Sequence, residues 1–172
     1  MAELVNLNTA NALESLDDLV SLLRDAVESG AAVGFLPPLS DKDARLHWRR
    51  LIERLPTGLT VLLGAREDGH LVGCVHLELE NRPNGKHRAE VIMLLVGLGY
   101  RRRGIGRSLM RALDKEAQRR GRTLLVVEIR KGDPAEALCR QMHFQEAGIV
   151  PRYARSASGA LQDFVFLYRE LD

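Results

Sequence analysis

Residues 90–110, EVIMLLVGLGYRRRGIGRSLM, are the stretch around which the rest of the chain is arranged. Val91 to Val96 form an unbroken apolar run, the pattern of a strand covered on both faces. Beyond it Ile105, Leu109 and Leu113 recur at every fourth position, with Met110 and Ala117 widening the stripe. That spacing predicts an amphipathic helix with one buried face. Between strand and helix stand Arg101, Arg102, Arg103, Gly104, Ile105 and Gly106. Glycines where a strand meets a helix leave main-chain N–H groups free at the positive end of the helix dipole. Such a turn suits phosphate and the arginines add charge, so it reads as a cradle for the pyrophosphate of a nucleotide-like cofactor.

Working outward, Gly121 stops the helix and residues 123–129, TLLVVEI, read as a second buried strand. Strand, helix, strand implies a right-handed crossover, which sets the second strand beside the first and parallel to it. Upstream, residues 59–65 and 71–79 are strand-like and joined by a turn containing Asp68-Gly69. A second turn, residues 81–87 with Asn84-Gly85, leads into the Glu90 strand, so three strands form an antiparallel meander. Residues 4–7 read as a first short strand. A helix is expected over 11–29, with Leu13, Leu16, Val20, Leu23 and Val27 on one face and Gly30 as its stop. Residues 31–38, AAVGFLPP, are apolar for a loop, as a lid or a pocket lining would be. Ser40 and Asp43 resemble a capping box for a helix that carries Ala44, Trp48, Leu51, Ile52 and Leu55 and is closed by Pro56. Near the other end, Asp133 and Pro134 start a helix over 134–142, and residues 144–150 and 164–168 read as closing strands.

At 172 residues, with no linker or repeat, the chain is expected to be one domain, residues 1–172. A net charge of +2 is too balanced for a general nucleic-acid or membrane binder. Cys74 and Cys139 form neither a disulfide framework nor a metal-ligand spacing, and Cys74 reads as a small core residue. No basic-then-apolar leader and no run of membrane-spanning length is visible, so the expected compartment is the reducing cytoplasm. The five histidines show no ligand spacing and no metal is expected; His76 could face a substrate from within its strand. Gly104-x-Gly106 fails the dinucleotide fingerprint, because Leu109 takes the third glycine position, and no Walker pattern is present.

The wider arrangement is more specific. Val96, then Arg101-x-x-Gly104-x-Gly106 and Leu109, resembles motif A of the GNAT-superfamily N-acetyltransferases. Pro134-Ala135-Glu136-Ala137-Leu138 through Phe144 is similar to that family's motif B, with His143 where a glycine is usual and Leu98 where a proline is common. The resemblance covers nearly the whole chain. Val33-Gly34-Phe35, Arg82-Pro83-Asn84-Gly85, Arg88-Ala89-Glu90-Val91, Pro151-x-Tyr153-Ala154 and Gly159-x-Leu161 look closest to the tabtoxin resistance protein branch. The resemblance implies an α/β fold with a mixed, mostly antiparallel sheet of six to seven strands flanked by helices on both sides. It implies acetyl-CoA as co-substrate, with the pyrophosphate held by main-chain N–H groups from Arg101, Arg102, Arg103, Gly104, Ile105 and Gly106, and with Arg107 adjacent. Leu94, Leu95 and Val96 would pair with the pantetheine arm as an added strand would. The two parallel strands would splay to admit it, and an N–H near Leu95 would face the developing oxyanion.

The acceptor is then an amine. An alkyl ammonium has a pKa near ~10.4, so roughly one molecule in two thousand is nucleophilic at pH 7 and a base is needed. Glu90 and Glu128 are the carboxylate candidates; their alternatives are a solvent-facing strand end and an ion pair. The usual family Tyr on the motif B helix is here Cys139, which reads as packing and leaves Tyr153 or water to protonate the leaving thiolate. Phe35, Leu36, His87 and Tyr153 are expected in the acceptor wall. The partner is a small-molecule amine, with neither nucleic acid nor membrane, and a homodimer is allowed for. The alternatives are a protein or peptide amine as acceptor, or a CoA-binding module without turnover.

Overall fold

The computed structural model describes residues 2–171. Seven strands form one sheet in the order β1-β2-β3-β4-β5-β7-β6. The first four are an antiparallel run: β1 (Glu3–Asn6), β2 (Thr60–Glu67), β3 (His70–Leu79) and β4 (Arg88–Val96). The crossover helix α4 (Ile105–Arg119) then returns the chain to β5 (Leu124–Arg130), which lies parallel to β4. Every other pairing, including those of β6 (Gln145–Arg155) and β7 (Leu161–Glu170), is antiparallel. The mixed sheet and its parallel central pair are thus as the sequence predicts. Asp68 and Gly69, both at positive φ, make the two-residue turn between β2 and β3. Strand β6 continues through Pro151, which lies in the irregular stretch between Val150 and Ala154, where pairing with β7 is interrupted and no ladder hydrogen bond is lost.

Two apolar cores sandwich the sheet. Helices α1 (Thr9–Glu14), α2 (Leu16–Glu28) and α3 (Asp41–Arg54) bury Leu19, Leu23, Trp48 and Ile52 against Cys74, Met93 and Leu95. Helices α4 and α5 (Pro134–Gln141) bury Leu109, Leu113 and Cys139 on the other face against Val75, Leu77, Val91 and Leu125. Ser40 caps α3, accepting from the Asp43 N–H and donating to its carboxylate, and Asp133 caps α5 with Pro134 in its first turn.

Two expectations are corrected. The predicted helix over 11–29 breaks at Ser15, whose hydroxyl accepts from Arg66 Nη2 at 3.0 Å, and Leu13 on the short first piece is 49% exposed. The apolar run from Val91 to Val96 is not covered on both faces. His76 pairs with Met93 and Leu77 with Val91, which leaves Ile92 as a bulge, 43% exposed. The extra residue reverses the alternation. Ala89 and Val91 face the α4 core, while Met93 and Leu95 face the α2–α3 core and Leu94 and Val96 only border the α4 side.

Candidate active site

The parallel pair is short. Strands β4 and β5 are in register at Arg88↔Leu124, Ala89↔Leu125, Glu90↔Val126 and Val91↔Val127, and there the pairing ends. Strand β4 runs on to Val96, and β5 runs on against β7, with Glu128↔Phe166 and Arg130↔Phe164. The β5 side of residues 92–96 therefore has no strand partner. A cavity of about 540 Å³ opens along it, walled by Leu94, Leu95, Val96 and the Arg101–Gly106 turn, and opposite by Ala135 and Leu138 of α5.

The turn is shaped by its glycines. Gly104, at φ +82°, is the N-cap of α4, a conformation that L side chains adopt at a cost. A Cβ on Gly106 would lie 3.4 Å from Leu138 Cδ2 and 3.7 Å from Leu94 Cδ2, in the space between the two cavity walls. Arg101 Nε donates to the Val96 carbonyl at 3.2 Å, and Arg107 Nη2 donates to Gln141 Oε1 at 2.5 Å across the mouth. Arg102 also borders the cavity. Arg103 leaves it: its guanidinium donates to Glu67 Oε1 at 2.8 Å and lies 5.2 Å from the Tyr100 ring centroid. Of the three consecutive arginines, Arg101 and Arg102 line the cavity and Arg103 does not.

The opposite face of the same strands carries a row of carboxylates. Val91 and Val127 point into the α4 core, so their neighbours Glu90 and Glu128 point to the other side. Glu78 is the direct cross-strand partner of Glu90 and shares that face with His76. His76 Nε2 lies 2.5 Å from Glu78 Oε1, and Arg54 and Thr60 also bond this carboxylate. Burial pushes the Glu78 carboxyl up, but the His76 hydrogen bond, with Arg54 and Thr60, holds it below the usual range. Glu90 goes the other way. Although its side chain is exposed, loss of solvent on its packed flanks, then the charge of Glu128, raises its carboxyl above the usual range, against the pull of Arg88. Tyr153 Oη donates to Glu128 Oε2 at 2.6 Å, a bond that keeps the phenol protonated above its ordinary value.

The remaining expectations separate. Phe35 sets its ring edge-on to His47, with centroids 5.1 Å apart, and burial followed by the charge of His76 lowers the His47 imidazole. Phe35 thus borders this face through His47, while Leu36 stands exposed. Ala31 of the same loop lines the cavity beside β4, and Arg130 Nη1 donates to the Gly30 carbonyl at 2.8 Å. His87 is not brought to the gap: its carbonyl accepts from Thr123 and Leu124, at the closed end of the β4–β5 pair. Cys139 is buried in the α4–α5 core, and burial pushes its thiol up to about 11. Cys74 is likewise core, its thiol pushed by burial up to about 12. Sequence reasoning missed Glu78, Phe164 and Phe166. The alternation of β3 would put His76 and Glu78 on one face, but only the register places Glu78 opposite Glu90. Among the described residues no group of three or more His, Cys, Asp or Glu is placed to hold a metal ion.

The model of the acetyltransferase (GNAT) family matches residues 16–144. The chain belongs to that family. It is therefore an acyltransferase with acetyl-CoA as its co-substrate, and the unpaired end of β4, the cavity beside it and the Gly106 contact fit such a molecule. Solved structures agree over the full length. An N-acetyltransferase from Staphylococcus aureus Mu50 superposes with a TM-score of 0.84 at 20% identity, covering 100% of this chain and 99% of that one. A ribosomal-protein-alanine N-acetyltransferase from Brucella melitensis gives 0.81 at 26% identity, covering 98% and 99%. A phosphinothricin acetyltransferase from Sinorhizobium meliloti, solved in complex with acetyl-CoA, gives 0.81 at 21% identity, covering 99% and 88%.

Proposed function

We propose that residues 1–172 act as a single domain that moves the acetyl group of acetyl-CoA to a primary amine of a small molecule. The acceptor is of the toxin-like, antibiotic-like or metabolite kind that the resemblance to the tabtoxin resistance branch implies. The amine attacks the thioester directly. One observation carries this reading: Glu90 stands one residue before the last paired position of β4 and β5, on the open face, with its carboxyl raised above the usual range. A carboxylate raised toward neutrality is a better base for an ammonium than an ordinary one.

Acetyl-CoA supplies an acyl carbon activated as a thioester. Main-chain groups of Leu94, Leu95 and Val96 would take the pantetheine arm, and those of the Arg101–Gly106 turn the pyrophosphate, with Arg101, Arg102 and Arg107 adding charge. Glu90 accepts the ammonium proton, and Glu128 is the neighbouring carboxylate able to take that part. The C–N bond forms as the C–S bond breaks, and the second proton that the nitrogen sheds passes to the departing sulfur, either directly or through Tyr153, whose phenol gives one proton and regains one. Tyr153, protonated and hydrogen-bonded to Glu128, is a proton source for the thiolate in place of the Tyr that Cys139 replaces. A CoA thiolate is about as basic as a free thiol, near ~8.5, so this donation is an aid and not a necessity. Phe35 and Tyr153 contribute walls of the acceptor site.

The test is release of free CoA across a panel of small amines, with N-terminal and lysine peptides as a second arm. The 26%-identical Brucella protein, named for acetylating ribosomal-protein alanine, favours the peptide arm, and turnover of peptides alone would replace the small-molecule reading with that one. Binding of acetyl-CoA with no turnover in either arm would make the chain a binding module. The proposal also carries a cytoplasmic site of action and a homodimer. The exposed edge strand β6, with Ile149 and Val150, offers the dimer a face, and a monomeric mass in sedimentation would remove it.

A further inference from the structure

Glu78, Glu90 and Glu128 cross three adjacent strands on one face of the sheet. Glu78 and Glu90 are direct cross-strand partners, and Glu128 lies one strand over and two residues along from Val126, the partner of Glu90. Like charges placed this way oppose folding unless something positive lies among them. For Glu78 the chain supplies that charge itself, through Arg54, with the His76 ring and the Thr60 hydroxyl as further hydrogen-bond partners. Glu90 and Glu128 have no ion pair among the described residues. The nearby arginines are committed elsewhere: Arg88 to Glu80, and Arg130 to the Gly30 carbonyl and Asp133. His76, 5% exposed within this row, also keeps a ring nitrogen, Nδ1, that no protein group reaches.

The surroundings of Glu128 are aromatic. Tyr153, which donates to Glu128, lies 5.0 Å from the Phe164 ring centroid and 5.5 Å from that of Phe166, the cross-strand partner of Glu128. A carboxylate beside clustered ring faces suits an alkyl ammonium, which gains from both the charge and the π-systems. Glu90, by contrast, stands at the point where β4 and β5 part, where the reacting amine would be.

We infer that the acceptor carries a second cationic group a few methylenes from the amine that is acetylated: Glu90 serves the reacting nitrogen, while Glu128 with Tyr153, Phe164 and Phe166 holds the other. Diagonal neighbours on adjacent strands are about 7–8 Å apart at Cα, so two ammonium groups joined by about four methylenes can each contact one of the two carboxylates. An acceptor whose far end is a carboxylate or phosphinate meets two carboxylates here, and the arginines beside them already hold protein partners: Arg88 bonds Glu80 and Arg130 bonds Asp133. The inference rests on the proposed transfer to a small-molecule amine and narrows its substrate class.

The experiment compares three acceptors of one length, n-butylamine, 1,4-diaminobutane and 4-aminobutyrate, by kcat/KM for CoA release at fixed saturating acetyl-CoA. The diamine is expected to exceed the monoamine by at least about tenfold, a factor of ten being ~1.4 kcal/mol, and the amino acid to fall below both. The diamine-to-monoamine ratio should collapse toward one in Glu128→Gln, whatever that change does to each rate. It should also shrink in Phe166→Leu, which keeps the carboxylate and removes a ring. Equal rates for diamine and monoamine, or a preference for 4-aminobutyrate, overturn the inference and leave amine acetylation standing. Absence of turnover with all three, while acetyl-CoA still raises the melting temperature, overturns the inference, and the proposed transfer falls with it only if the wider panel of small amines is also silent.

Discussion

The donor side of the proposed active site is made of main chain, and its acceptor side is made of side chains. Along residues 94–106 the working parts are an unpaired strand edge, a helix N-terminus and two glycines. Main-chain groups are common to all residues, so what matters there is backbone shape and space: the left-handed conformation at Gly104 and the narrow gap at Gly106, where anything larger than a Cβ crowds Leu138 and Leu94. On the other face Glu78, Glu90, Glu128, Tyr153 and Phe166 come from five different strands, β3 to β7, and meet only because the sheet folds in one order. Damage to the two sides should therefore look different. A donor-side change should cost cofactor affinity, and an acceptor-side change should cost rate and selectivity.

The largest effect is expected on the acceptor side. Glu90→Gln should lower kcat/KM by roughly 10²–10⁴ at pH 7, the usual worth of a positioned general base. The deficit should narrow as pH approaches the amine's own pKa near ~10.4, where free amine no longer needs making. Initial-rate pH profiles of both proteins check this. A loss of the same size at every pH would move Glu90 from chemistry to architecture.

Next comes the donor side. Gly106→Val should raise the acetyl-CoA Kd by at least about tenfold, ~1.4 kcal/mol, because its branches enter the space between Leu94 and Leu138. The amine KM should hardly move. Gly104→Ala is the control, since a Cβ there meets nothing within 4 Å and adds only backbone strain at φ +82°. Titration calorimetry on the two variants separates crowding from strain. Equal weakening in both would mean that the turn's conformation, and not the space at Gly106, governs affinity.

This contrast also explains what the sequence made legible. Motif A could be read because its residues are consecutive and its function depends on backbone shape, which Gly104 and Gly106 announce locally. The sheet followed from turns such as Asp68-Gly69 and from one crossover. The Ile92 bulge did not follow, because an apolar run looks alike with or without one extra residue. That bulge decides which of Met93 and Leu94 faces the cavity, and so the two-sided burial expected for Val91 to Val96 fails at Ile92, Leu94 and Val96. His87 was misplaced for a related reason: nearness to Glu90 in sequence says nothing about which end of a parallel pair opens. Glu78 was missed because its importance lies in a cross-strand register that no local pattern encodes.

A smaller effect is expected from the proton donor. Tyr153→Phe should slow turnover by less than the ~10² typical of general acid–base catalysis, because the leaving thiolate needs little help. Cys139→Ala should leave the rate near wild type and lower the melting temperature, as a buried thiol in the α4–α5 core would. A reversed order, with Cys139 critical and Tyr153 silent, would return the acid to the motif B helix.

The smallest effect concerns stability, and its sign separates Glu90 from Glu80. The folded state raises the Glu90 carboxyl, so between the ordinary carboxylate value near ~4.3 and that raised value the folded chain binds more protons than the unfolded one. Stability from this group is present below that window and is lost as pH rises through it, so at pH 8 the charged Glu90 works against folding. Glu90→Gln should therefore raise the melting temperature at pH 8, have almost no effect near pH 4, and gain less in high salt, which screens Glu128. Glu80 is the opposite case, held far below the usual range by the hydrogen bond from Arg82 and the main-chain N–H groups of Arg82 and Asn81. Its stabilisation is present above the ordinary carboxylate value and is lost as pH falls toward its lowered one, so Glu80→Gln should lower the melting temperature at pH 8. Melting curves of both variants at pH 4 and 8 give the two signs. A drop for Glu90→Gln at pH 8 would show a carboxylate the fold uses for itself, leaving Glu128 as the base.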